Sequence, residues 1–176
     1  MRLLALLVLV LALTGPALAE GRKAVLDRAI EDAIVQFERA KPSLPESVFG
    51  VNRETYHDAL TLHRFHSDHW GGAIGLDLII RPQAMGSCTN YAAFVRLPPE
   101  RGQVQLVLCP QFFAPGAGDL RAMTILHEMV HVVAGAHECR AMAFTALVQK
   151  RASGRFMPVE RYWQANGCPG SGFPLP

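Results

Sequence analysis

The chain is sparing in several things, and each shortage narrows what it can be. It has only four cysteines, Cys88, Cys109, Cys139 and Cys168, and no two lie within a few residues of each other. That spacing argues against a Cys₄ structural zinc site. Charge of either sign is not in excess: 17 basic residues face 15 acidic ones. A nucleic-acid partner normally needs a basic face, so none is expected. After the first twenty residues no apolar run is long enough to cross a membrane. There is no internal repeat, no low-complexity stretch and no linker, and 176 residues suit one domain.

The first segment stands apart. Arg2 gives a positive start, Leu3 to Leu13 is an apolar block, and Ala17-Leu18-Ala19 ends in small residues. This pattern predicts a secretory signal peptide over 1–19, cleaved before Glu20, and a secreted or periplasmic protein. No Cys follows the cleavage point, so a lipid anchor is not indicated there. The mature chain, 20–176, keeps 16 basic and 15 acidic residues once Arg2 is removed. An even cysteine count in an exported chain reads as disulfides. Three pairings are possible. Cys88–Cys109 with Cys139–Cys168 is the local one and the one favoured, because a hairpin between Cys88 and Cys109 would return the chain on itself.

The stretch with chemistry in it is Thr124 to Glu138, TILHEMVHVVAGAHE. It holds His127-Glu128-x-x-His131 inside an apolar run. Residues four apart lie on one helix face, so His127 and His131 can offer two imidazoles to one metal ion. Glu128 is placed as a general base beside them, the arrangement of zinc hydrolases. Asp119, Leu120, Met123, Leu126, Met129, Val130, Val132 and Val133 predict a largely buried helix. Two His and a Glu in such a helix need partners, and a metal is the simplest one.

Catalytic zinc usually takes three protein ligands. Two neighbours compete for the third place. His137 is ten residues after His127, the metzincin spacing, but the glycine of that pattern falls on Ala134. Glu138 is three residues after Gly135, where the helix should stop and the chain double back. Counting from the turn favours Glu138, with His137 as the alternative.

The rest of the chain frames this helix. Arg22 to Ala40 carries an apolar stripe at helical spacing (Val25, Leu26, Ala29, Ile30, Ala33, Ile34, Phe37) and is stopped by Lys41-Pro42. Asn52 can cap a second helix over Arg53 to His66. His63, His66 and His69, three apart, raise the question of a second metal site, but exposed His near a helix end needs no ligand. Ala73 to Ile80 alternates as a strand. Tyr91 to Leu97 and Gln103 to Cys109 predict a hairpin around Leu97-Pro98-Pro99-Glu100-Arg101-Gly102. Asp119 is the expected cap of the central helix, Glu138 to Ala152 another helix, and Val159 to Ala165 a last short one. The fold class is α+β and zincin-like: N-terminal helices, a small, mostly antiparallel sheet with a hairpin, the central HExxH helix, then a second helix.

Four features resemble the aspzincin metallo-endopeptidases, the deuterolysin and peptidyl-lysine metalloendopeptidase group. A Cys opens a hairpin that ends in Cys-Pro-x-Phe-Phe, here Cys88 and Cys109 to Phe113. A short loop leads into Leu-His-Glu-x-x-His, here Leu126 to His131. The family's Gly-Thr-x-Asp turn is answered by Gly135-Ala136-His137-Glu138. An N-terminal helix precedes a Phe-Gly, here Phe49-Gly50. The likeness covers roughly 84–138, and the N-terminal third more loosely. It implies a zinc-dependent endopeptidase acting on protein or peptide substrates, with His127 and His131 as ligands and Glu128 as base.

The departures are specific. Glu138 stands where the family has Asp. The family's Tyr-Gly segment, whose Tyr stabilises the transition state, is replaced by Cys139-Arg140-Ala141-Met142. A second donor to the oxyanion must therefore come from elsewhere, with Tyr162, Arg140 or a His among His63 to His69 as candidates. Lysine specificity does not carry over. The alternative from another class is a non-catalytic or degenerate zinc-binding exported protein, with structural zinc or a peptide-binding role. Glu128 separates the two, since a purely structural site has no use for a base. Nothing in the sequence fixes the oligomeric state.

Overall fold

The computed structural model describes residues 14–176. The expected signal segment lies mostly outside the described residues. Helix α1 spans Thr14–Ala40, so it runs on through the expected cleavage point. Its stripe of Leu26, Ala29, Ile30, Ala33 and Phe37 is buried. That is the apolar face the sequence spacing predicts.

Two short strands, β1 (Ser47–Val48) and β2 (Val51–Asn52), pair antiparallel around Phe49 and Gly50, both at positive φ. Helix α2 (Arg53–Leu60) starts on an Asn52 cap whose side chain accepts from the Glu54 and Thr55 amides. It is shorter than the expected Arg53 to His66. The Thr61 hydroxyl bonds back to the His57 and Asp58 carbonyls, and Leu62 turns to φ 61. A non-glycine residue in that region cannot continue a helix.

The chain then forms β3 (Phe65–Ser67), which the sequence did not suggest, and β4 (Gly72–Ile80). Strands β5 (Ala93–Glu100) and β6 (Gln103–Leu108) make the hairpin. Its turn is only Arg101-Gly102, both at positive φ, so β5 continues through Pro98 and Pro99. Proline is tolerated there because β5 is an edge strand with a register irregularity between Arg96 and Glu100. The sheet order is β3-β4-β6-β5. Two of its three pairings are antiparallel; the central β4/β6 pair is parallel.

Three helices complete the architecture: α3 (Gly118–Ala134), α4 (Glu138–Ser153) and α5 (Glu160–Ala165). Asp119 lies in the first turn of α3 and not at its cap, which is Ala117. Its charge still favours the positive helix end. Helix α3 packs on α1, α2, α4 and β5, so the fold is α+β with α3 at its centre. Tyr56 is fully buried between Phe37 and Phe144, with ring centroids 4.8 and 4.7 Å away.

The cysteines pair as Cys88–Cys109 and Cys139–Cys168. The first bond ties the lead-in of β5 to the end of β6. The second ties the first turn of α4 to the tail that follows α5. Among the described residues no helix is long and apolar enough to cross a membrane.

Candidate metal centre and cleft

His127 and His131 sit one turn apart on α3, with ring centroids 4.9 Å apart. Two donors, buried Tyr56 and half-buried Trp70, brace this turn from outside the helix. The Tyr56 hydroxyl donates to the Leu126 carbonyl at 2.7 Å, and the Trp70 indole N–H donates to the Val132 carbonyl at 2.8 Å. Neither residue stood out in the sequence. Trp70 precedes two glycines, and its reach to α3 is a long-range contact that no local pattern announces.

Helix α3 ends at Gly135, which adopts φ 83 and lets the chain reverse. The Arg140 guanidinium donates to the last helical carbonyl, Ala134 O. Only two residues separate Gly135 from α4, so Glu138 is the first residue of that helix and faces back onto α3. Its carboxylate lies 3.2 Å from His127 Nε2 and 3.5 Å from His131 Nε2. The two Nε2 atoms are 3.2 Å apart.

The ligand atoms of His127, His131 and Glu138 all fall within 4.8 Å of one another, and the three form a group that could hold a metal ion. The donor chemistry tests this. His131 Nδ1 faces the Gly135 carbonyl at 2.9 Å, and a carbonyl only accepts, so Nδ1 carries the proton. Neutral His131 then turns the Nε2 lone pair inward. A lone pair and a carboxylate converging with a second imidazole make a set that a divalent cation would satisfy.

His137 is not in this group. Its ring packs edge-on against Phe173, centroids 4.7 Å apart. The reason is the junction: the residue before the first turn of α4 points away from α3 and meets the C-terminal tail. The His63 to His69 stretch is not helical either, so its three-residue spacing does not converge. His63 meets the Thr61 hydroxyl, His66 lies near Asp68, and His69 packs edge-on against Trp70 and against Gly135.

Glu128 is 8% exposed and does not join the triad. Burial raises its pKa, opposed by the neighbouring imidazoles and by the Val95 backbone amide of β5. For Glu138, burial favours the neutral acid, but the two imidazoles facing it prevail and hold its carboxyl well below the usual range. For His131, burial opposes protonation; Glu138, the Gly135 carbonyl and Glu128 outweigh it and raise the pKa.

Of the three oxyanion candidates, the structure brings one to the triad. The Tyr162 hydroxyl on α5 lies 3.5 Å from Glu138 Oε2. Burial, then the negative charge of Glu138, pushes its pKa up to about 12, so it is a protonated donor at neutral pH. Arg140 is engaged with Ala134 O and the Phe173 ring. Tyr162 and Glu128 both line a cavity of ≈ 210 Å³ beside the triad, bounded by α3, α4 and the lead-in to β5.

No protein-family model, curated protein or solved structure matches the chain.

Proposed function

We propose that this protein is an exported zinc-dependent metallo-endopeptidase, a divergent relative of the aspzincins with a zincin-like fold. The observation that carries the reading is the convergence of His127, His131 and Glu138 beside a buried carboxylate, Glu128, in the wall of one cleft. A structural metal site gains nothing from such a carboxylate. A hydrolytic one needs it. The two disulfides fit an oxidising compartment.

His127 and His131 would hold zinc through Nε2, and Glu138 through a carboxylate oxygen. When bound, zinc supplies Lewis-acid polarisation of a peptide carbonyl and acidifies a water at neutral pH. The protein's own groups do the rest. Glu128 accepts a proton as water attacks the carbonyl carbon, and returns it to the leaving amine nitrogen as the C–N bond breaks. Its burial, which raises its pKa, suits a group that must both take and give a proton. Tyr162 donates its hydroxyl proton in a hydrogen bond to the developing oxyanion, the role the family gives to a tyrosine at another position. The Gly135 carbonyl keeps His131 in the tautomer that presents Nε2.

The test is metal content measured alongside turnover. Purified mature protein should hold zinc and cleave a denatured protein substrate, and a chelator should stop it. Protein that binds zinc but cleaves nothing, with Glu128→Gln indistinguishable from wild type, would favour a non-catalytic zinc protein instead.

A further inference from the structure

The cavity beside the triad has a composition of its own. Apart from His127 and Glu128, none of its lining residues carries a charged side chain. Met123, Met142, Ala146 and Val159 make much of its wall apolar. Asn90, Tyr91, Thr124 and Tyr162 add neutral polar groups to it, and two more, Thr145 and Gln149, lie one turn apart on α4 and are buried. They lie roughly 10 and 16 Å along the helix from Glu138, at 1.5 Å per residue.

Buried polar groups normally have partners, and here part of the capacity is unspent. Gln149 Oε1 accepts from the Met157 amide at 3.0 Å. That bond fixes which way the amide faces and leaves Nε2, a donor, without a hydrogen-bond partner among the described residues. The Thr145 hydroxyl also has no partner among them. At Gln149 a lysine or arginine tip brings only donors, which Nε2 cannot accept, so its charge would lose water there and gain no hydrogen bond from this amide. A purely aliphatic tip would strip water from Nε2 and return nothing.

We propose that this cavity is the subsite for a substrate side chain flanking the scissile bond. It selects a long uncharged side chain that ends in a hydrogen-bond acceptor, glutamine or tyrosine in class, received by Nε2 of Gln149. The inference rests on the peptidase reading and deepens it by naming the substrate class.

Two measurements test it separately from that reading. In the first, zinc-loaded wild type digests a complex peptide mixture and the cleavage sites are mapped. One flanking position should be enriched about tenfold or more in glutamine or tyrosine over lysine and leucine. Gln149→Glu keeps the acceptor for Met157 and exchanges the donor for a carboxylate oxygen, so the preference should swing toward lysine and arginine. In the second, the side-chain amide signal of Gln149 is followed by NMR while wild type is titrated with N-acetyl-glutamine amide, N-acetyl-leucine amide or N-acetyl-lysine amide. The glutamine probe should shift it most and saturate first. Turnover with no side-chain preference, or a preference unchanged in Gln149→Glu, overturns the subsite alone. Equal response to the three probes also overturns it, whatever the turnover. Selective probe binding without any hydrolysis keeps the pocket's chemistry and overturns the peptidase reading.

Discussion

Gly135 and His69 approach so closely that a β-carbon on residue 135 would lie 2.5 Å from His69 Nε2. Residue 135 also adopts φ 83 and offers its carbonyl to His131 Nδ1. Three demands therefore meet at one residue: a positive φ that only glycine adopts freely, space for an imidazole, and a carbonyl that fixes a ligand's tautomer.

Gly135→Ala should be destabilising by about 1–3 kcal/mol, because it adds backbone strain and a steric clash. It should also weaken zinc binding by tilting His131. Adding His69→Ala removes the clash but not the strain, so the double variant should regain part of the stability and not all of it. Thermal unfolding with and without zinc reads both effects. Full recovery in the double variant would mean that φ at this position is of no account.

The ligands, base and bystander separate by substitution. On the proposed reading wild type should bind about one zinc per chain, and His127→Ala, His131→Ala and Glu138→Ala should each lose it. His137→Ala should stay loaded, since its ring lies on Phe173 and outside the donor group. Glu128→Gln should keep zinc and lose hydrolysis by roughly 10²–10⁴-fold. Elemental analysis beside turnover decides each case. An empty His137→Ala with a filled Glu138→Ala would reverse the assignment of the third ligand.

Reduction and cysteine replacement probe the frame of the cleft. Cys139 follows Glu138 directly, and its bond to Cys168 holds the segment carrying α5 against α4. Cys168 is fully buried beside Trp163 and Met142. The double variant Cys139→Ala, Cys168→Ala should lose about 2–5 kcal/mol of stability. Its zinc affinity should fall less than in Glu138→Ala, because the ligand itself remains. Non-reducing peptide mapping checks the pairing first: a Cys88–Cys139 or Cys88–Cys168 peptide would contradict it.

How much of this was legible in the sequence depends on the range of the interactions. The His127/His131 pair follows from helix periodicity alone, and Gly135 is a helix stop by its backbone freedom. The choice between Glu138 and His137 turned on where α4 begins, and what removes His137 from the site is Phe173, 36 residues later. No local pattern encodes that contact. Strand β3 is not legible because Phe65-His66-Ser67 is too short for its alternation to stand out; its partner β4 defines it. The length of β5 was underestimated because Pro98-Pro99 reads as a turn until the strand is known to lie at an edge. Gln149 and Thr145 did leave a signal, two polar residues four apart on an otherwise apolar helix face. Its meaning depended on the cavity they border.

Tyr162 gives the last test. Burial and the charge of Glu138 place its pKa at about 12, above the ordinary 10. The fold therefore favours the neutral phenol. Stability linked to this group is fully present below pH 10 and is lost as pH rises from 10 toward 12. A metal ion on Glu138 would offset the negative charge that raises the pKa, so zinc-loaded protein should ionise Tyr162 at lower pH than metal-free protein, with the burial contribution left in place. Phenolate absorbance, taken as wild type minus Tyr162→Phe, isolates this one group. In turnover assays Tyr162→Phe should lower kcat by about 10²–10³ with KM little changed, the mark of a donor used only in the transition state. It should leave zinc content intact, since a hydroxyl 3.5 Å from a ligand oxygen is not itself a ligand. A difference titration centred at 10 and indifferent to zinc would mean that Tyr162 faces solvent and not Glu138. Unchanged kcat in Tyr162→Phe would remove it from the reaction, and the oxyanion would need another donor.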